Sequence, residues 1–301
     1  MTDASLSAIN PRRVVSPNGV AQRRRWNAAR RFVRQPTSVI GLGLLTVVII
    51  AAALAPWLAP YGPTEPDFSN SLQGPSTAHL LGTDQLGRDL LSRLMYGGRV
   101  SLVLSVSIVA ISSVLGTVLG GIAGYARGAV DQLVSRCADI VLAFPGLLLA
   151  IAITTVLGNG VMPVIWSAVI VSVPGYVRLV RGSVLSVSSF PYVEAARATG
   201  VPSWRILGRH ILPNVLTPIL VQCSVQLASV LLLISALSFL GIGVQPPTAE
   251  WGVIVSDGRA YLHAAFHLTL FGGLAIMIAV LGFNLVGDGL RDALDIRQVS
   301  N

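Results

Sequence analysis

The 301-residue sequence contains no lysine, two cysteines, four histidines and only 11% charged residues, against roughly 25% in an average soluble domain. Without lysine there is no amine chemistry and no P-loop lysine to hold a nucleotide phosphate, so any ATP hydrolysis that this chain depends on belongs to another polypeptide. Cys137 and Cys223 fall in or beside apolar runs. Neither forms part of a Cys-x-x-Cys pair or a Cys/His cluster, and both read as small buried hydrophobes rather than a disulfide or a zinc site. Carboxylates and imidazoles are almost absent from the apolar runs, which argues against a proton-coupled transporter, since that needs an ionisable group near mid-membrane. No His/Asp/Glu/Ser grouping faces one leaflet as a membrane enzyme would require. We therefore expect no catalytic, cofactor-binding or metal-ligating residue in this chain.

Apolar sequence is abundant: 53% of residues are hydrophobic and the mean hydropathy is +0.72. A helix that crosses a bilayer needs about 20 mostly apolar residues, and six stretches approach that length: Thr37 to Leu58, Val100 to Tyr125, Leu133 to Leu157, Val161 to Leu179, Val215 to Leu240 and Leu268 to Val286. The second carries Gly116, Gly120 and Gly124, a small-xxx-small spacing that lets helices approach closely. The third contains Pro145 and the fourth Pro163 and Pro174, each of which removes a backbone hydrogen bond and predicts a kink. The expected fold class is an all-α membrane protein of six transmembrane helices.

All 21 basic residues are arginines, and eight precede the first apolar run. Residues 1–36 thus form an Arg-rich tail, read as cytoplasmic under the positive-inside rule and lying against membrane lipid. The first apolar run is longer than the roughly 7–15 residues of a signal-peptide core, so cleavage is not expected. The pI near 10.5 does not point to nucleic acid, which needs a water-soluble basic scaffold. With the tail inside, six spans return the C-terminal tail, 291–301, to the cytoplasm. The cytoplasmic segments then hold 17 of the 21 arginines, and the outer segments hold Arg88, Arg93, Arg99 and Arg259.

The outer segment 59–99 opens with Pro60, Pro63, Pro66 and Pro75 and should be irregular there. Leu86, Leu90, Leu91, Leu94 and Met95 then recur at helical spacing around Arg88, Asp89, Ser92 and Arg93, which predicts an amphipathic helix on the membrane or protein surface. Asp84, Gly87, Arg88, Asp89 and Arg93 are candidates for docking a partner. The second outer segment, 242–267, holds Trp251–Gly252, read as an interfacial tryptophan.

Within the core 100–290, the segment of about 182–213 is the most informative. Ser189 is positioned to cap a short helix over Pro191–Ala198, Gly200 suits the left-handed residue that closes it, and Ser203 begins a second helix to about His210 before Pro213 opens the fifth span. An exposed helix–glycine–helix loop rich in arginine is a rigid knob suited to insertion into a groove on another protein. It is equally compatible with a solvated connector.

Glu194–Ala195–Ala196, then three residues and Gly200, followed by His210–Ile211–Leu212–Pro213, resembles the EAA loop of ABC importer permeases. His210 stands where the general pattern has Ile, and the ending HILPN is similar to that of the dipeptide/oligopeptide subfamily. The stretches His79 to Asp84, Gly87–Arg88–Asp89, Ser92–Arg93, Tyr96–Gly97, Arg99 to Leu102, Asp139 through Phe144–Pro145 and Leu237 to Gly243 are similar to the C-type permease of such systems. The resemblance covers about Arg30 to Asp295. It implies a type I importer fold in the bacterial inner membrane, with two homologous permeases, two ATPases that bind ATP and Mg, and an extracytoplasmic substrate-binding protein. It also implies that Glu194, Ala195, Ala196, Arg197, Gly200, Leu212 and Pro213 dock in an ATPase groove and couple its closure to the spans. The implied cargo is short peptides, with nickel or a peptide-like compound as the alternative within the same fold. An ATP-independent secondary transporter is the remaining alternative.

Asp131, Arg136 and Asp139, Arg178 and Arg181, and Asp288, Asp292 and Asp295 lie at span ends, where anchoring or ion pairing is expected. Gln222, Ser224, Gln226 and Ser229 in the fifth span either line a hydrophilic path or pack between helices. His263 and His267, four residues apart, lack the glutamate of a zinc-protease motif and a third ligand, and a polar interfacial face explains them.

Overall fold

The computed structural model describes residues 30–294. The Arg-rich tail before residue 30 and the last residues of the C-terminal tail, including Asp295, lie outside the described residues. The described chain is helical: α1 (Pro36–Ala53), α2 (Ala55–Leu58), α3 (Leu90–Ala126), α4 (Gly128–Leu142), α5 (Gly146–Leu157), α6 (Val161–Ser188), α7 (Pro191–Ala198), α8 (Ser203–Arg205), α9 (Leu212–Phe239), α10 (Trp251–Arg259) and α11 (Phe266–Leu294). A π-helical turn, Ile206–Ile211, joins α8 to α9, so that one continuous helix of 37 residues runs from Ser203 to Phe239. Five helices are long and apolar enough to cross a membrane, and α4 with α5 form a sixth crossing if the pair is taken together.

That pair departs from the expected kink. The α4 and α5 axes meet at 93°, because Pro145 offers no N–H and disfavours the helical conformation at the residue before it. At 15 and 12 residues, neither half reaches the roughly 20 needed to span a bilayer alone.

Close helix contacts fix the directions of the crossings. A Cβ on Gly116 would collide with Tyr176, one on Gly120 would sit 2.6 Å from the Val177 carbonyl oxygen, and one on Gly124 would sit 2.9 Å from that of Arg181. Contact partners rise together along both helices, so α3 and α6 run parallel, as the second and fourth crossings must when the broken pair returns the chain between them. Conversely, Gly41 packs on Leu285, Leu45 on Gly282 and Ser38 on Gly289; α1 and α11 are therefore antiparallel. Gln35 Nε2 donates to Asp292 Oδ2 at 3.1 Å, which ties the start of α1 to the end of α11.

It follows that the start of α1, the end of α11 and the α6–α9 connection share one end of the molecule. The segments 59–89 and 240–265 share the other. Between the ends, Ile108, Val164, Ala168, Ile234 and Leu237 form the apolar core joining α3, α6 and α9, while Ile40, Val47, Val103, Val118 and Met277 point outward, as lipid-facing residues do.

Candidate functional site

The connection between α6 and α9 builds a rigid knob. Pro191 starts α7 in its first turn, where its missing N–H costs nothing and its fixed φ suits a helix. The end of α7 is closed by a Schellman motif: Val201 N donates to Ala196 O at 3.2 Å and Gly200 N to Arg197 O at 3.0 Å. Gly200 has φ +75°, the left-handed region that a side chain disfavours. The serine caps expected from the sequence do not form. Phe190 is the N-cap of α7, without a side-chain bond, and the Ser189 hydroxyl donates back to Ser186 O at 2.8 Å. Ser203 lies inside α8 rather than before it.

Burial divides the knob into a root and a face. Val193, Ile206 and Ile211 are buried with Val180, Val184, Val215 and Ile219 in one apolar cluster, which welds α7 to α6 and α9. Glu194, Ala195, Arg197 and Gly200 are exposed, and Ala196 is half-buried. The Arg197 guanidinium lies over the Tyr125 ring at 5.2 Å, a cation–π contact that ties the face to the end of α3. A recess on the same connection is lined by Trp204, Arg205, Gly208 and Arg209.

No separate second loop helix ends before Pro213. In the π turn Leu212 N donates to Leu207 O, five residues back, and Pro213, which cannot donate, sits in the first turn of α9 as the π register gives way to α. His210 O is capped by Asn214 Nδ2 at 2.8 Å, and Asn214 Nδ2 also donates to Tyr192 Oη at 3.2 Å. This small polar clasp connects α7 to the base of α9.

At the opposite end the charged run of the first connection is interior. The helix expected over 86–95 as a separate surface element is the first turn of α3, whose N-cap Asp89 accepts from Ser92 N and Ser92 Oγ, both at 2.8 Å. Arg88 Nε donates to Asp84 Oδ2 at 2.7 Å, Arg93 Nε lies 3.3 Å from the same oxygen, and Asp257 Oδ2 of α10 lies 3.4 Å from Arg93 Nη2. Asp84, Arg88, Asp89 and Arg93 are all buried, and a Cβ on Gly87 would collide with the Asp67 backbone. Burial pushes the Asp257 carboxyl up, opposed by the Arg93 charge. Trp251 is likewise buried, not interfacial, and its Nε1 donates to Leu94 O at 2.9 Å.

The polar residues of α9 divide by role. Gln226 Nε2 donates to Ser172 Oγ of α6 at 3.2 Å, a contact between helices. Ser224 Oγ bonds its own helix at Val221 O, 2.9 Å, and Ser229 is exposed. Gln222 lines a cleft of about 490 Å³ with Asp288 and Arg291. Asp131 and Asp139 take Arg181 and Arg178 as ion-pair partners. His267 Nε2 lies 3.2 Å from Thr83 O; His263 precedes the helix, so the two imidazoles do not share a helical face. Among the described residues no three His, Cys, Asp or Glu side chains gather as metal ligands do. Two features escaped the sequence reading, Glu250 and Asn214. Glu250 is fully buried, caps α10 at Val253 N (3.1 Å) and accepts from Ser101 Oγ at 3.0 Å; a lone glutamate before Trp251 was the sole sequence signal for it.

A bundle of five long helices and a broken sixth crossing, with a stiff arginine-bearing knob at the end where the start of α1 meets the end of α11, has the architecture of a multi-pass membrane subunit. The same architecture appears in an inward-facing structure of the MetNI methionine ABC transporter, which superposes with a TM-score of 0.55 at 19% identity over 67% of this chain and 97% of that one. The chain belongs to the binding-protein-dependent transport system inner membrane component family, whose model matches residues 116–299. Residues 25–75 match the N-terminal TM domain of oligopeptide transport permease C. Among relatives, the glutathione transport system permease protein GsiD of Pectobacterium atrosepticum is 42% identical over 97% of this chain and 95% of its own. The dipeptide transport system permease protein DppC of Alkalihalophilus pseudofirmus is 44% identical over 91% of each chain, and the di/tripeptide permease DppC of Pseudomonas aeruginosa 43% over 88% and 89%. The protein is thus a multi-pass inner-membrane permease subunit of an ABC importer, a class that works with ATPase and substrate-binding partners.

Proposed function

We propose that this chain forms half of the path by which short peptides enter the cell, paired with a second homologous permease and driven by two ATPases that bind ATP and Mg in the cytoplasm. A substrate-binding protein outside delivers the peptide. The observation that carries this reading is the division of the α7 knob, with Val193, Ile206 and Ile211 buried in a cluster shared with α6 and α9 and Glu194, Ala195 and Arg197 left exposed. A projection stiff at its root and bare at its face transmits displacement, and α9 carries that displacement up the bundle without a break. The small Ala195 and Ala196 permit close approach in an ATPase groove, and Gly200, Leu212 and Pro213 set the angle of the knob to its two helices. The arginine distribution supports a cytoplasmic position for the knob and for both ends of the chain. The relatives named for dipeptide, di/tripeptide and glutathione transport support a peptide or peptide-like cargo. The buried charges at the other end, Asp84, Arg88, Asp89 and Arg93, then stiffen the outer rim rather than contacting the binding protein directly.

The test is purification of the tagged chain from its native membrane with identification of every stoichiometric partner, followed by ATP-driven uptake in proteoliposomes. A second permease and P-loop ATPases are expected to co-purify. Gly200→Asp, which forces a side chain into the left-handed position, and Glu194→Lys should leave membrane insertion intact and abolish uptake. Recovery of a stable chain alone, or flux of dipeptide without ATP, would sink the reading and favour an autonomous transporter.

A further inference from the structure

We infer that the groove between α3, α4 and α6 holds one acyl chain of a phospholipid whose anionic headgroup lies beside Arg127 at the knob end. The groove has a volume of about 470 Å³, within the range of about 300–1,000 Å³ typical of small-molecule sites. Leu115 and Leu119 of α3 form one wall, Leu133 and Val141 of α4 the other, and α6 from Trp166 to Val177 the floor. Binding sites for polar molecules place a few polar groups among apolar ones. Here no lining side chain carries a charge, an amide or a hydroxyl. The occupant is therefore hydrocarbon; peptides and ions are excluded, because their polar groups would be buried without partners.

Shape narrows the occupant to a single chain. α3 and α4 are joined by Arg127 alone, so the two walls converge at the knob end, to which the Arg197–Tyr125 contact ties α3. Trp166 and Val177 lie 11 residues apart on the floor, about 16 Å along the helix axis. That is close to half of the roughly 30 Å hydrocarbon core, the share of one leaflet. A helix of the same length, about 10–12 Å across with its side chains, needs roughly twice the volume of the groove or more and would bridge the rim above an empty floor. A second apolar cleft, between α1 and α3, is smaller at about 190 Å³ and lies toward the other end, beside Leu91 and Leu94. The acyl chain also gives α4 the packing that it lacks: of its 15 residues only Ala138 is buried, and Leu133 is 67% exposed.

Charge at the knob end selects the headgroup. Residues 127–139 and 178–181 carry Arg127, Arg136, Arg178 and Arg181 against Asp131 and Asp139. Asp131 is paired with Arg181 and Asp139 with Arg178, which leaves the excess positive charge on the α3–α4 connection and on α4. Basic residues at the edge of the hydrocarbon attract anionic lipid, and an amphipathic helix with arginine on its polar side lies at that edge. A phosphate held there directs its acyl chain away from the knob, along the floor of the groove toward Trp166.

The test is photo-crosslinking of the full chain, purified with its co-purifying partners and reconstituted in phosphatidylethanolamine vesicles that contain phosphatidylglycerol with a diazirine near the end of one acyl chain. Peptide mapping should place adducts on Leu115 and Trp166 at least fivefold more often than on Val47 of α1 and Met277 of α11, which point outward. Leu119 and Ile170 line the groove and are each 40% exposed, so a larger side chain at either fills the groove from its rim. Ile170→Trp should reduce the groove adducts at least fivefold and leave those on Val47 unchanged, which also reports an intact fold; Leu119→Trp should do the same from the α3 wall. Replacing Arg127 and Arg136 together by Gln leaves the groove open and should reduce its adducts at least threefold. Equal labelling of the groove and of Val47 would mean bulk lipid contact only and would overturn the proposal. So would an absence of groove adducts, the result expected if a second subunit covers the groove, or labelling that neither the tryptophan nor the glutamine substitutions change.

Discussion

Arg93 is 1% exposed, and its charge is balanced by Asp84 and by Asp257, 164 residues away in sequence. Removing one partner from a buried pair costs about 3–5 kcal/mol, because the remaining charge is stranded, so Asp84→Asn should destabilise this end of the bundle by that order. The check is the thermal unfolding midpoint in detergent, with Glu65→Gln, an exposed site, as the reference that should shift little. Gly87 makes a second demand on the same turn: its φ is +73° and any side chain would strike the Asp67 backbone. Gly87→Ala should therefore lower the midpoint at least as far as an ordinary core truncation. None of this was legible in the sequence. The spacing of leucines around Arg88, Asp89 and Arg93 fits an exposed amphipathic helix equally well, and nothing local announces that a carboxylate in α10 will bury the charged face.

The helices themselves were legible wherever the signal is local. Apolar run length placed the long crossings, Pro191 and Gly200 bounded α7 at the expected residues, and the glycine spacing on α3 foretold a close helix seam, though not that α6 is the helix packed against it. The depth of the break at Pro145 was not legible, because a proline reports only a missing hydrogen bond and tertiary packing decides between a kink and a 93° turn. The π turn was also missed, since its register shift leaves no periodic trace over six residues. The seam yields a matched pair. Gly120→Val places a side chain against the Val177 carbonyl and should cost about 1–3 kcal/mol or more in overpacking. The neighbouring Gly121→Ala meets nothing closer than Leu212 Cδ2 at 3.9 Å and should be tolerated, as read from the yield of monodisperse protein. The Tyr192–Asn214 clasp gives a different readout: Asn214→Leu should leave the ATPase of the assembled complex active while lowering uptake severalfold, because only the apolar cluster then ties the knob to the base of α9. Equal loss of both activities would show the clasp to be merely structural.

Helix directions in the folded chain make a statement that no single helix can. Parallel packing of α3 on α6 requires one return crossing between them, and antiparallel packing of α1 on α11 requires the whole chain to cross an even number of times. The bent pair α4–α5 is thus the third crossing, although neither half could be recognised as one by length. The same parity brings Gln35 and Asp292 together and puts Gly74 at the opposite end from Ser203. Arginine counting predicts that the Ser203 end is cytoplasmic, and impermeant maleimide labelling decides it. In a background with Cys137→Ser and Cys223→Ser, Gly74→Cys should be labelled in intact spheroplasts, since Gly74 has nothing within 4 Å of an added Cβ. Ser203→Cys should react only in inverted vesicles or after permeabilisation. Labelling of both positions from the same side would contradict the parity of the bundle, because one of the helix pairings would have to be reversed. Labelling of each from the wrong side would leave the fold intact and invert the protein in the membrane, placing the knob where no ATPase could reach it.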